Sequence, residues 1–183
     1  MNGLCLDIWE ARPDVPGRAV VLPDGCCDLI VAEAPGAPPR WCVSELMATA
    51  KRVDFAAGVR MKGFRLRAGT RLDHGRLLAG LDGVAPDDDR AILARLADHG
   101  RLSADINDAL MALEASPSVT GSARQLGLTV RTLQRRVLRE TGVSPLFWQR
   151  LARIRRAGRD LAGEAPLAEA ASRHGFADQA HFS

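Results

Sequence analysis

A glycine set between two short amphipathic segments constrains this chain more than any other feature. Residues 122–145, SARQLGLTVRTLQRRVLRETGVSP, read as a short helix to Leu126, a turn at Gly127, and a second helix that Thr129 caps and that runs to about Thr141, ahead of Gly142. Ala123 is small where two helices have to cross closely. At about 100° per residue, Val130, Leu133 and Val137 share one face of the second helix, and Arg131, Gln134 and Arg135 share another. Two short helices around a tight glycine turn form the unit that presents its second helix to the major groove of DNA. Arginine can grip guanine O6 and N7, and glutamine adenine N6 and N7, each pair worth ~1–3 kcal/mol of discrimination. A basic, solvated helix would carry the same arginines, and Leu138 on their side is no DNA contact; the glycine turn favours the first reading.

Ser144-Pro145 opens a third, longer helix, a cap followed by proline in the first turn. Phe147, Leu151, Ile154 and Leu161 recur along it at helical spacing as its expected inner stripe. Its other faces carry arginines, of which Arg150, Arg153 and Arg156 are candidates for phosphate contacts that add affinity without sequence information. The pattern then repeats: Ala123, Gly127 and Leu128 are matched 48 residues later by Ala171, Gly175 and Phe176. LAEAASRHG, with Leu167, Ala170 and Ala171 inward, reads as the first helix of a second helix-turn-helix, and ADQAHFS as the opening of its recognition helix.

ARQLGLTVRTLQRRVLRETGVSP followed at this distance by LAEAASRHGFADQAHFS resembles the AraC/XylS family of bacterial transcription regulators. The resemblance covers residues 104–183. It implies an all-α, homeodomain-like DNA-binding domain of two helix-turn-helix units joined by one long helix. It further implies base contacts from Arg131, Gln134 and Arg135, with Thr132 beside the phosphates, and an equivalent stretch of Gln179, Ala180 and His181 in the second unit. In the family the second recognition helix continues past this serine and carries a basic reader there, so the resemblance implies a second unit left incomplete at Ser183.

The remainder reads as a separate, β-rich domain. RAVVLP and CCDLIVA flank Asp24-Gly25 and predict a tight hairpin. VRMKGFRLRAG sets Val59, Met61, Phe64 and Leu66 among basic residues, with Gly63 as an expected bulge. Helices follow over RLLAGLDG, over PDDDRAILARLADHG, and over SADINDALMALEA with Ser103 as its cap. The expected fold class is therefore α+β, with residues 1–101 as a sensor or dimerisation-like domain and 102–183 as the DNA-binding domain. PDGCCDLIV and AAGVRMKGFRLRAG are also similar to the N-terminal domain of one AraC-type subgroup. That likeness implies a partial cupin-like barrel that binds a small-molecule effector or a second protomer in a homodimer.

Charge agrees with this division. Residues 121–183 hold 11 arginines against 5 acidic residues, whereas residues 1–120 hold 14 lysines and arginines against 17. A basic surplus at one end is a footprint for a polyanion, here double-stranded DNA. No segment has the length and apolarity of a membrane span, and MNGLCLDIWE lacks the features of a signal peptide, so the expected location is cytoplasmic.

Other chemistries find less support. Cys5, Cys26, Cys27 and Cys42 form no CxxC pair, which disfavours a zinc-dependent repair regulator of the Ada type. His74, His99, His174 and His181 show no HxH or HExxH spacing, and the run Asp87-Asp88-Asp89 reads as helix-start residues rather than metal ligands. No cofactor and no catalytic residue is expected. The stronger rival is a DNA-binding-impaired regulator that acts by pairing with an intact relative.

Overall fold

Seven N-terminal strands and six helices follow one another in the computed structural model, which describes residues 3–162 and 173. The strands are β1 (Cys5–Ala11), β2 (Gly17–Val21), β3 (Asp28–Glu33), β4 (Arg40–Val43), β5 (Lys51–Phe55), β6 (Arg60–Leu66) and β7 (Arg71–Leu72). The helices are α1 (His74–Gly80), α2 (Asp89–His99), α3 (Ala104–Ala115), α4 (Val119–Gln125), α5 (Val130–Thr141) and α6 (Pro145–Ala162), with a short β8 (Gly100–Arg101) after α2. The fold class is mixed α+β. The chain divides into two compact units, Met1–Asn107 and Asp108–Ser183. No helix among the described residues is long and apolar enough to cross a membrane.

In the first unit β1, β6, β3 and β4 form an antiparallel sheet in that order, while β2 pairs only with β5. The expected hairpin across Asp24-Gly25 is therefore corrected. β2 and β3 belong to different sheets, and Asp24 turns the chain from one to the other: its carboxylate accepts from Cys26 N at 2.9 Å and pairs with Arg65.

The expected bulge at Gly63 is corrected as well. Gly63 pairs in regular register with Trp9 on one side and Ile30 on the other. Its role is close approach, because a Cβ there would fall inside the Trp9 indole, whose Nε1 donates to Asp28 Oδ1 at 3.0 Å. With no bulge at Gly63, β6 keeps a strict two-residue alternation, and the one register shift of the β1–β6 pair falls in β1 between Cys5 and Asp7. Phe64 and Leu66 enter a core with Leu29, Leu77, Leu81, Ile92 and Leu96, so this sheet face packs on α1 and α2. Val59 and Met61 lie instead along a cavity bounded by the other face and by β2–β5.

Lys62 shares the core-facing side of β6 and is only 5% exposed. Its ammonium reaches Asp89 at 2.6 Å and Glu10 at 3.6 Å, while Arg60 pairs with Asp87 at 2.6 Å, Glu10 at 3.0 Å and Glu33 at 3.1 Å. Asp88 caps α2 through Ala91 N at 2.9 Å. Each carboxylate of the acidic run thus has a structural duty: one caps the helix and two tie it to the sheet. The Arg60 guanidinium holds the Asp87 carboxyl below the usual carboxylate range. Among the described residues no group of three or more histidine, cysteine or acidic side chains is placed to hold a metal ion.

Candidate nucleic-acid interface

The α4–α5 corner is built by local hydrogen bonds that its sequence supplies. Ser118 caps α4 by accepting from Gly121 N at 3.0 Å, and the buried Ser122 hydroxyl donates to Ala112 O at 3.0 Å, fastening α4 to α3. At the turn, Gly127 N donates to Arg124 O at 3.1 Å and Leu128 N to Ala123 O at 2.8 Å. This pair closes a Schellman motif, which needs a left-handed residue; Gly127 supplies it at φ +64°. Thr129 then caps α5, its hydroxyl accepting from Thr132 N at 3.1 Å. Ala123 is buried at the crossing, as its small size predicts.

Leu133 and Val137 are fully buried and Val130 is half-buried, so one face of α5 is anchored. Arg131, Gln134 and Arg135 are exposed on another face, and their side chains make no hydrogen bond or ion pair with other described residues. Leu138, 54% exposed, prolongs this stripe by one turn. Thr132 is half-buried and its hydroxyl lies 2.9 Å from that of Thr129, so its first role is to stiffen the start of α5. At the far end Gly142 N donates to Leu138 O at 2.9 Å, and Thr141 Oγ1 accepts from Trp148 Nε1 at 3.3 Å.

That last bond reorients α6 relative to expectation. Trp148, Leu151, Ala152 and Ala157 are buried, whereas Ile154 is 52% exposed and Phe147 half-buried. The stripe Phe147, Leu151, Ile154 is corrected accordingly: the indole takes the inner position, and Phe147 packs edge-on against it with ring centroids 5.4 Å apart. The side chain of Leu161 lies outside the described residues, as do Leu167, Ala170, Ala171 and the second reading stretch Gln179, Ala180 and His181.

Arg150, Arg153 and Arg156 come together along one cavity, and Arg173 joins them there. None of the α5 stripe lines it. Sequence reasoning missed Arg173 because it saw that residue only as part of a separate helix; no local pattern connects it to α6. Arg156 also closes the end of α3, its Nη1 donating to Glu114 O at 2.6 Å.

Residues 122–183 match the family model described as a helix-turn-helix domain. No curated protein matches the chain significantly. The structure of ToxT from Vibrio cholerae is similar over 97% of this chain and 91% of that one, at 10% identity and a TM-score of 0.45, a likeness too slight to bear on function. Residues 122–183 are thus a helix-turn-helix domain.

Proposed function

We propose that this chain is a transcription regulator that binds a specific sequence in double-stranded DNA by laying α5 in the major groove. The observation that carries the proposal is the exposed stripe of Arg131, Gln134 and Arg135 on a helix whose other face is buried and whose two ends are capped. Side chains able to hold base edges bidentately stand on a rigid element and engage no described neighbour. In this reading Thr132 stands beside a phosphate, Gln179, Ala180 and His181 form the matching stretch of the second unit, and Arg150, Arg153 and Arg156 raise the positive potential around the site. The protein works where the chromosome is, in the cytoplasm, and performs no catalytic step.

Regulation is the part we assign to the first unit. Trp9, Ile30 and Met61 of the four-stranded sheet and Val21, Val53 and Phe55 of the β2–β5 ribbon line a cavity of about 950 Å³. Apolar walls joined by polar groups such as Asp24, Asp28 and Arg65 suit a small-molecule effector. Val20 and Leu22, 59% and 68% exposed, offer a surface for a second protomer.

Arg135→Ala tests the base-reading role. It should weaken binding to the preferred duplex by ~1–3 kcal/mol while leaving nonspecific duplex binding unchanged in fluorescence anisotropy titrations. Equal loss on every sequence would make Arg135 a phosphate contact and not a reader.

A further inference from the structure

The cavity of the first unit is walled on one side by the outer face of the four-stranded sheet, and strand register orders what that face presents. Arg65 stands opposite Asp28, Gly63 opposite Trp9 and Ile30, and Met61 opposite Ala32. The Arg65–Asp28 row therefore lies at one end of this wall and Met61 about 13 Å away at the other, with Trp9 and Ile30 between them.

Three groups at the polar end form a chain. Asp24 pairs with Arg65, whose Nε lies 3.9 Å from Asp28 Oδ1. The same oxygen accepts from Trp9 Nε1 at 3.0 Å. The second oxygen of Asp28 accepts no hydrogen bond from a described residue, although that side chain is only 17% exposed. One guanidinium between two carboxylates leaves one negative charge in excess, and protein around it screens that charge less than water would.

The Trp9 indole lies over Gly63, where a Cβ would fall inside the ring, and borders the same space. A tryptophan face attracts a cation within about 6 Å of its centre, and the carboxylate on its N–H adds to that pull. The other charges of the lining do not reverse this preference: Asp54 is paired with Arg18 at 2.7 Å, and the exposed Lys51 and Glu45 are of opposite sign. An anionic head group would have to take Arg65 from two carboxylates.

We propose that this cavity binds an amphipathic amine in its protonated form, the ammonium donating to the second oxygen of Asp28 beside the Trp9 ring and the apolar body extending towards Met61. The assignment rests on the cavity being a ligand site, as inferred above, and names the class of ligand.

Calorimetric titration of the full chain at neutral pH with octylammonium, octan-1-ol and octanoate, which share a chain length and differ in head-group charge, is the test. Octylammonium should bind at one site per chain and about tenfold more tightly than octan-1-ol, as one charge-assisted contact implies, with octanoate weakest. Asp28→Asn, which keeps an acceptor for the indole, should remove that advantage and leave octan-1-ol binding unchanged. Asp82→Asn, at an exposed carboxylate outside the cavity, should leave all three affinities as they were. The ranking of the three ligands by the unmodified protein needs no variant. Octan-1-ol or octanoate binding as tightly as octylammonium overturns the amine while keeping the cavity as a ligand site. An octylammonium advantage that survives Asp28→Asn, or that falls equally in Asp82→Asn, overturns it as well. If none of the three binds, the effector reading of the cavity falls together with the amine.

Discussion

Gly127 shows how a single residue sets the geometry of the reading helix. Nothing lies within 4 Å of a Cβ built there, so the penalty for a side chain is purely that of the backbone at φ +64°. Gly127→Ala should therefore cost about 1 kcal/mol in denaturant unfolding, and Gly127→Asn less, because asparagine tolerates the left-handed region. An alanine variant as stable as the parent would mean that the turn is built differently. Cys27 offers a test by pH. Burial pushes its thiol up from 9.0 to about 11, with Cys26, Asp28 and Asp24 adding to the shift. The folded state disfavours the thiolate, so the stability conferred by the neutral thiol is complete below pH 9 and is lost as the pH rises towards about 11. Thermal unfolding of the parent should weaken across that window more than that of Cys27→Ala; parallel profiles would contradict the assignment. Local chemistry of the Gly127 kind was legible in the sequence, since caps and turns bond within a few residues. The burial of Lys62 was not, because its partners Glu10 and Asp89 arrive from distant strands and helices.

At the scale of elements, periodicity located the helices and the strands β2, β3 and β6, but neither the other strands nor the partners of any. β6 reads as an alternating strand, yet whether Gly63 bends it or admits Trp9 depends on β1, more than 50 residues earlier in the chain. Gly63→Ala should drive the indole from its place and break its bond to Asp28, lowering stability by ~1–3 kcal/mol as overpacking does and shifting the tryptophan emission. Trp9→Leu in the same background should recover much of the loss. If Gly63→Ala is neutral alone, the close approach is not what fixes glycine there. The hairpin expectation failed for a related reason: an Asp-Gly turn fixes local direction, but sheet membership is decided by which strands bury which face. For α6, several stripes of the same helix are apolar enough to face inward, and the Trp148–Thr141 bond selects among them.

At the scale of the whole molecule, the charge asymmetry read from composition coincides with the helical unit that carries both the α5 stripe and the arginine cavity. In the first unit Arg60 and Lys62 are instead tied internally to Glu33, Asp87 and Asp89. Duplex binding should accordingly be strongly salt-dependent, with the slope of log affinity against log salt reduced in variants of phosphate-contacting arginines and unchanged in Arg60→Gln, provided that variant stays folded. The central claim is that α5 reads sequence. Selection of bound duplexes from a random pool by the full chain tests it most directly, run beside Arg131→Ala, Gln134→Ala and Arg135→Ala. The account predicts enrichment of one preferred sequence and, for each variant, relaxation at a different base position. No enrichment, or an enriched sequence that all three variants select unchanged, would contradict it.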